Sequence, residues 1–135
     1  ELVDAGEDLL GLAQRLRGFD AAIVIDAMIG GGPRGAVRRF DGTALGSDEA
    51  PRFASTHSVD LATALGLAAA LGDLPPELVL YGVEAVDFCH GAELEPCLAA
   101  AVVEVSERVR TECHALLQRQ GKTSPAPLST TRRSV

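Results

Sequence analysis

The stretch Ala21-Ala22-Ile23-Val24-Ile25-Asp26-Ala27-Met28-Ile29, running into Gly30-Gly31-Gly32-Pro33-Arg34-Gly35, decides the fold. Residues 21–25 form a short apolar, β-branched run followed by turn formers, the pattern of a strand buried in an α/β sheet. Ligands of such sheets sit outside the carboxyl ends of the strands, and Asp26 is the carboxylate this strand presents there. Residues 78–83 (Leu-Val-Leu-Tyr-Gly-Val) repeat the pattern and end on Glu84.

Outward from these two runs, the periodicity alternates between strand and helix. Residues 1–5 read as a short strand with Gly6 as its turn. Leu9, Leu12, Ala13 and Leu16 recur at helical spacing over residues 8–17, with Gly18 closing the helix. After the glycines, residues 36–40 read as a short edge strand ending at the turn signal Asp41-Gly42, and residues 43–56 are irregular. A helix rich in Ala and Leu is expected from His57 or Ser58 to about Leu71. Pro96 suits the first turn of a last helix carrying Leu98, Val102, Val105, Val109, Leu116 and Leu117. Strands alternating with helices imply βαβ units, so the expected fold is α/β with a mostly parallel sheet covered on both faces. Asp4, Asp26 and Glu84 then fall on one edge of that sheet. Residues 1–119 form the domain, and residues 120–135, dominated by Gly, Ser, Thr, Pro and Arg, read as a disordered tail.

The 135 residues suffice for one domain with its own core. A net charge of −7 argues against a nucleic-acid partner and against adhesion to an anionic membrane. No apolar run approaches the roughly 18–20 residues of a membrane span. Three cysteines without framework spacing point to a reducing cytoplasm. The chain opens on Glu1-Leu2-Val3-Asp4, without Met or a basic leader, so no signal peptide is expected, and the protein is expected to continue upstream of Glu1.

Asp26 and His57, a carboxylate at a strand end and an imidazole at a helix start, are half of a metal site. Their oxygen and nitrogen suit a borderline ion such as Zn²⁺ or Ni²⁺. An Asp capping a turn and a His merely standing at a helix start remain the alternative. Gly30, Gly32 and Gly35 formally match the dinucleotide-binding glycine pattern, but Pro33, Arg34 and the strand-like residues 36–40 stand where a helix must open. A mobile loop beside the site fits better. Cys89-His90, Cys97 and Cys113-His114 lack the spacing of zinc knuckles, and cysteines of a buried helix act as small apolar residues.

The ordered set of segments resembles the hydrogenase maturation proteases. Residues 1–6 resemble that family's strand-Asp-Gly-Gly segment, residues 23–27 its Val-Asp-Ala strand, and residues 35–40 its Gly-x-hydrophobic-x-x-Phe segment. Ser55-Thr56-His57-Ser58 with Leu61 resembles its Ser-x-His-x-x-x-Leu element, and residues 75–84 its last core strand. The resemblance implies a three-layer α/β/α sandwich. It further implies an endopeptidase that removes the C-terminal extension of a nickel–iron (NiFe) hydrogenase large-subunit precursor after nickel insertion. The precursor's nickel serves as the recognition element, and no serine or cysteine nucleophile is used. By the same resemblance Asp26 and His57 are the metal-contacting and catalytic residues, Asp4 and Glu84 secondary candidates, and Gly31, Gly32 and Arg34 part of a loop facing the precursor. The family's third ligand, a Glu in an N-terminal Gly-Asn…Asp-Glu-Gly segment, has no counterpart in these residues, so the domain is expected to lack the family's first strand. The implied protein is a cytoplasmic monomer. The alternatives are a non-catalytic binding module for the metallated precursor and a nucleotide-binding oxidoreductase.

Overall fold

A computed structural model describes residues 8–44, 61–85 and 93–122, together with Asp4. Helix α1 spans Leu9–Leu16, and Asp8 caps it: one carboxylate oxygen accepts from the Gly11 amide at 2.8 Å. That bond satisfies one of the donors a first helical turn leaves without partners. Gly18 follows the helix at φ +82°, the left-handed turn its position predicts. Asp8→Ala should cost about 1 kcal/mol, read as a lower urea midpoint at unchanged slope.

Three strands follow the expected order: β1 (Ala21–Met28), β2 (Val37–Asp41) and β3 (Glu77–Glu84), separated after β2 by helix α2 (Leu61–Leu71). In space β3 lies between the other two. β1 runs parallel to β3, from Ala21 opposite Glu77 to Met28 opposite Glu84. β2 runs antiparallel on the other side, with Phe40 opposite Leu80 and Arg38 opposite Gly82. The described sheet is therefore mixed: the expected parallel pairing holds for β1 and β3, and β2 adds an antiparallel edge. β1 also continues two residues past Asp26.

Strand alternation sorts the side chains onto two faces. Ala22, Val24 and Met28 of β1, Leu78 and Leu80 of β3 and Phe40 of β2 pack with Leu12 and Leu16 of α1 and Leu61 and Leu65 of α2. α2 presents Leu61, Ala64, Leu65 and Ala68 as one buried stripe, whose two alanines leave room for close packing. The opposite face carries Ile23, Val37, Val79 and Tyr81 against Val105 and Val109 of helix α3 (Pro96–Lys122). Two helices on one face and one on the other make the α/β/α sandwich. Pro96 opens α3 as expected, and the helix continues to Lys122, past the position where the composition changes.

Polar contacts fasten α3 to the sheet. Arg39 of β2 donates twice to Glu112, at 2.7 and 3.0 Å, and the Tyr81 hydroxyl donates to the same carboxylate at 3.2 Å. The Arg39 hydrogen bond holds the Glu112 carboxyl below its ordinary range. Cys97 and Cys113 are both exposed, contrary to their reading as buried apolar residues. The stripe of Ala101, Val105 and Leu116 takes the buried side of α3 and turns them outward.

Candidate functional site

Strand order explains why the glycine stretch lies where it does. To pass from β1 to β2 the chain must cross the carboxyl end of β3, because β3 lies between them. Glu84 closes that end, and the crossing segment is tied to it repeatedly. Gly30 and Gly31 donate their amides to Glu84 Oε1 at 2.7 and 3.0 Å. The Gly35 amide donates to the Glu84 carbonyl at 2.8 Å, and the Glu84 amide to the Ala36 carbonyl at 2.9 Å. Arg34 pairs with Glu95 just before α3. Gly35 stands at φ +84°, and a Cβ there would lie 2.7 Å from the Cys97 carbonyl oxygen, so both backbone conformation and space demand glycine. The segment read as a mobile loop is thus fastened at both ends and in the middle.

Asp26 stands on the α1/α2 face of β1, between Val24 and Met28 and opposite Gly82. It is half-buried, and its Oδ1 accepts from the following amide, Ala27, at 2.8 Å. Burial pushes its carboxyl above the usual carboxylate range, and the Ala27 hydrogen bond offsets part of that shift. Gly82 makes the floor beside it. A Cβ at Gly82 would fall 2.5 Å from Met28 Sδ, so the missing side chain is the space that the fully buried Met28 fills. Met28 therefore lies between Asp26 and Glu84 on this face.

Glu84 is 1% exposed, and among the described residues its Oε2 has no hydrogen-bond partner. Gly31 and Gly32 follow Gly30 across it, while Arg38 of β2 stacks over the Phe40 ring, 5.0 Å from its centroid. The structure brings Asp26, Glu84, Gly31, Gly32 and Arg34 to one end of the sheet. Asp4 is exposed and belongs to no described strand. His57, the strand expected over residues 1–5, Cys89 and His90 lie outside the described residues, Asp4 apart. Leu61, four residues after His57, is buried with Met28 in the same core cluster. Among the described residues no group of three His, Cys, Asp or Glu side chains could hold a metal ion. No described helix is long and apolar enough to cross a membrane. The dinucleotide pattern fails structurally, because Gly35 leads into strand β2 where a phosphate-binding helix would have to start. Met28 and Gly82 were not singled out from sequence, although a glycine inside an apolar strand signals close approach.

Comparisons with known proteins agree with this geometry. The profile of the hydrogenase maturation protease family matches residues 1–112. The hydrogenase expression/formation protein HupD of Thiocapsa roseopersicina is 34% identical over 113 residues, covering 79% of this chain and 49% of its own length. HupM of Azotobacter chroococcum is 35% identical over 121 residues, covering 79% and 56%. The chain spans about half the length of the curated relatives it matches. The solved structure of the hydrogenase maturating endopeptidase HybD from E. coli superposes with a TM-score of 0.60 at 21% identity, over 83% of this chain and 72% of that one, and shares the fold. The chain belongs to the hydrogenase maturation protease family.

Proposed function

We propose that this protein is an endopeptidase that removes the C-terminal extension from a NiFe hydrogenase large-subunit precursor, with the precursor's own nickel as the recognition element. The observation that carries the reading is the family match over residues 1–112, which takes in both Asp26 and His57. The geometry supports it through a half-buried carboxylate two residues before the carboxyl end of β1, the strand that leads into the fastened loop. A carboxylate oxygen and an imidazole nitrogen are suitable donors for Ni²⁺. Asp26 and His57 would grip the precursor's nickel and so hold the adjoining peptide in place for attack. The nickel or a carboxylate then activates a water toward the scissile carbonyl.

The test uses the full-length protein with nickel-loaded and nickel-free precursor, reading release of the C-terminal peptide by mass spectrometry. Release from the loaded form alone is expected, and equal release from both would remove nickel from the recognition step. Binding of the loaded form without release would identify a non-catalytic recognition module instead. His57→Ala should lower processing by at least about 100-fold, since even groups that only support a metal ligand are worth about 10–100-fold.

A further inference from the structure

We propose that Glu84 is a positioning residue for the precursor-facing loop, holding residues 30–32 in one shape beside Asp26; this rests on the maturation-protease reading. Glu84 is buried at the end of the central strand, where its backbone is bonded to both Gly35 and Ala36. Its Oε1 alone gathers the amides of Gly30 and Gly31. Two adjacent N–H groups converging on one oxygen fix the direction of the loop backbone more tightly than either bond alone. Oε2 lies under the same loop without a partner among the described residues. A Cβ at Gly30 would come within 3.1 Å of it and one at Gly32 within 3.4 Å, so the glycines let the backbone close over the carboxylate. A buried, unpaired carboxylate oxygen is costly to keep for stability alone. Stability would be served as well by an apolar side chain of equal volume.

That contrast supplies the test, in full-length protein carrying Glu84→Gln or Glu84→Met. Gln keeps an oxygen for the two amides and replaces the unpaired one with a group that bears no charge. Met fills the same volume but accepts nothing. With Glu84→Met the KM for precursor should rise about tenfold at little-changed kcat, the two hydrogen bonds being worth about a factor of ten together. The thermal midpoint should not fall, and the Gly30 and Gly31 amides should lose their protection from hydrogen exchange. Glu84→Gln should keep amide protection and process precursor within about threefold of wild type.

Wild-type KM in Glu84→Met would overturn the proposal. So would equal losses in both variants, because the charge itself would then be contacting the precursor. Should the wild-type protein cleave no precursor, the endopeptidase reading fails by itself. The amide protection then still decides whether Glu84 sets the loop: loss in Met with retention in Gln upholds it, and no difference between them refutes it.

Discussion

Asp26→Asn is expected to lower precursor processing by at least about 100-fold while leaving the fold intact or more stable. The substitution changes little in shape. Asn keeps the side-chain oxygen that accepts the Ala27 amide, and its size leaves the Val24–Met28 packing undisturbed. It removes the negative charge that would bind nickel. A large loss of processing with no loss of stability is the signature of a group retained for chemistry. Processing within about threefold of wild type would remove Asp26 from the mechanism.

The pH dependence of stability carries the same information without any substrate. Burial raises the Asp26 carboxyl above its ordinary value of 3.8, so the folded protein binds this proton more tightly than the unfolded chain does. Stability from this group then falls as pH rises from the ordinary carboxylate range through the raised folded value, and the penalty persists at neutral pH. Asn has no such proton. In the protein free of metal, the thermal midpoint of Asp26→Asn should therefore exceed wild type at pH 7, by about a few degrees at most. The gap should close as pH drops below about 4. A variant less stable than wild type at pH 7 would show that the charge is compensated in the fold.

The parts of this molecule legible in sequence were those set by neighbours along the chain. The apolar run before Asp26, Gly18 after α1, Pro96 at the start of α3 and the alternation of residues 36–40 each placed an element. Strand order is not local, and what depends on it was harder to read. The glycine segment looks free in sequence because the groups that tie it to the sheet are not near it in the chain. Its partners, Glu84 and Glu95, are more than fifty residues away and meet it only because β3 lies between β1 and β2. The sequence marks Glu84 as a strand end but not its burial under the loop, for the same reason. Ile25, one of the residues that made the run look buried, is 48% exposed, because α3 packs over β2 and β3 and leaves that part of β1 open among the described elements. At the site, Asp26 stood out in sequence as a strand end, although β1 runs on to Met28. The family resemblance, and no spacing rule, joined it to His57.

Leu80→Ala is expected to be the most destabilising single change in the core, costing about 3–4 kcal/mol. Leu80 is fully buried in the central strand, with Val24 opposite on β1 and Phe40 opposite on β2. It therefore loses contacts to both flanking strands and to the helices above them at once. Neither neighbour can collapse into the space, since each is fixed by its own hydrogen-bonded ladder, so much of the cavity should persist. Against a total stability of about 5–15 kcal/mol for a domain of this kind, that loss should lower the thermal midpoint by roughly 10–15 °C. Processing per folded molecule should not change, because the Leu80 side chain makes none of the hydrogen bonds that hold Asp26 or the loop. The pairing with Asp26→Asn separates two roles on one face of one sheet. On the proposed mechanism, Leu80 holds β1 and β2 to β3 with no share in the chemistry, and Asp26 bears a cost in stability for a chemical role. If Leu80→Ala reduced processing per folded molecule as strongly as Asp26→Asn, the edge where the site lies would be yielding with the core, and the rigidity assigned to the fastened loop would have to come from the whole sheet.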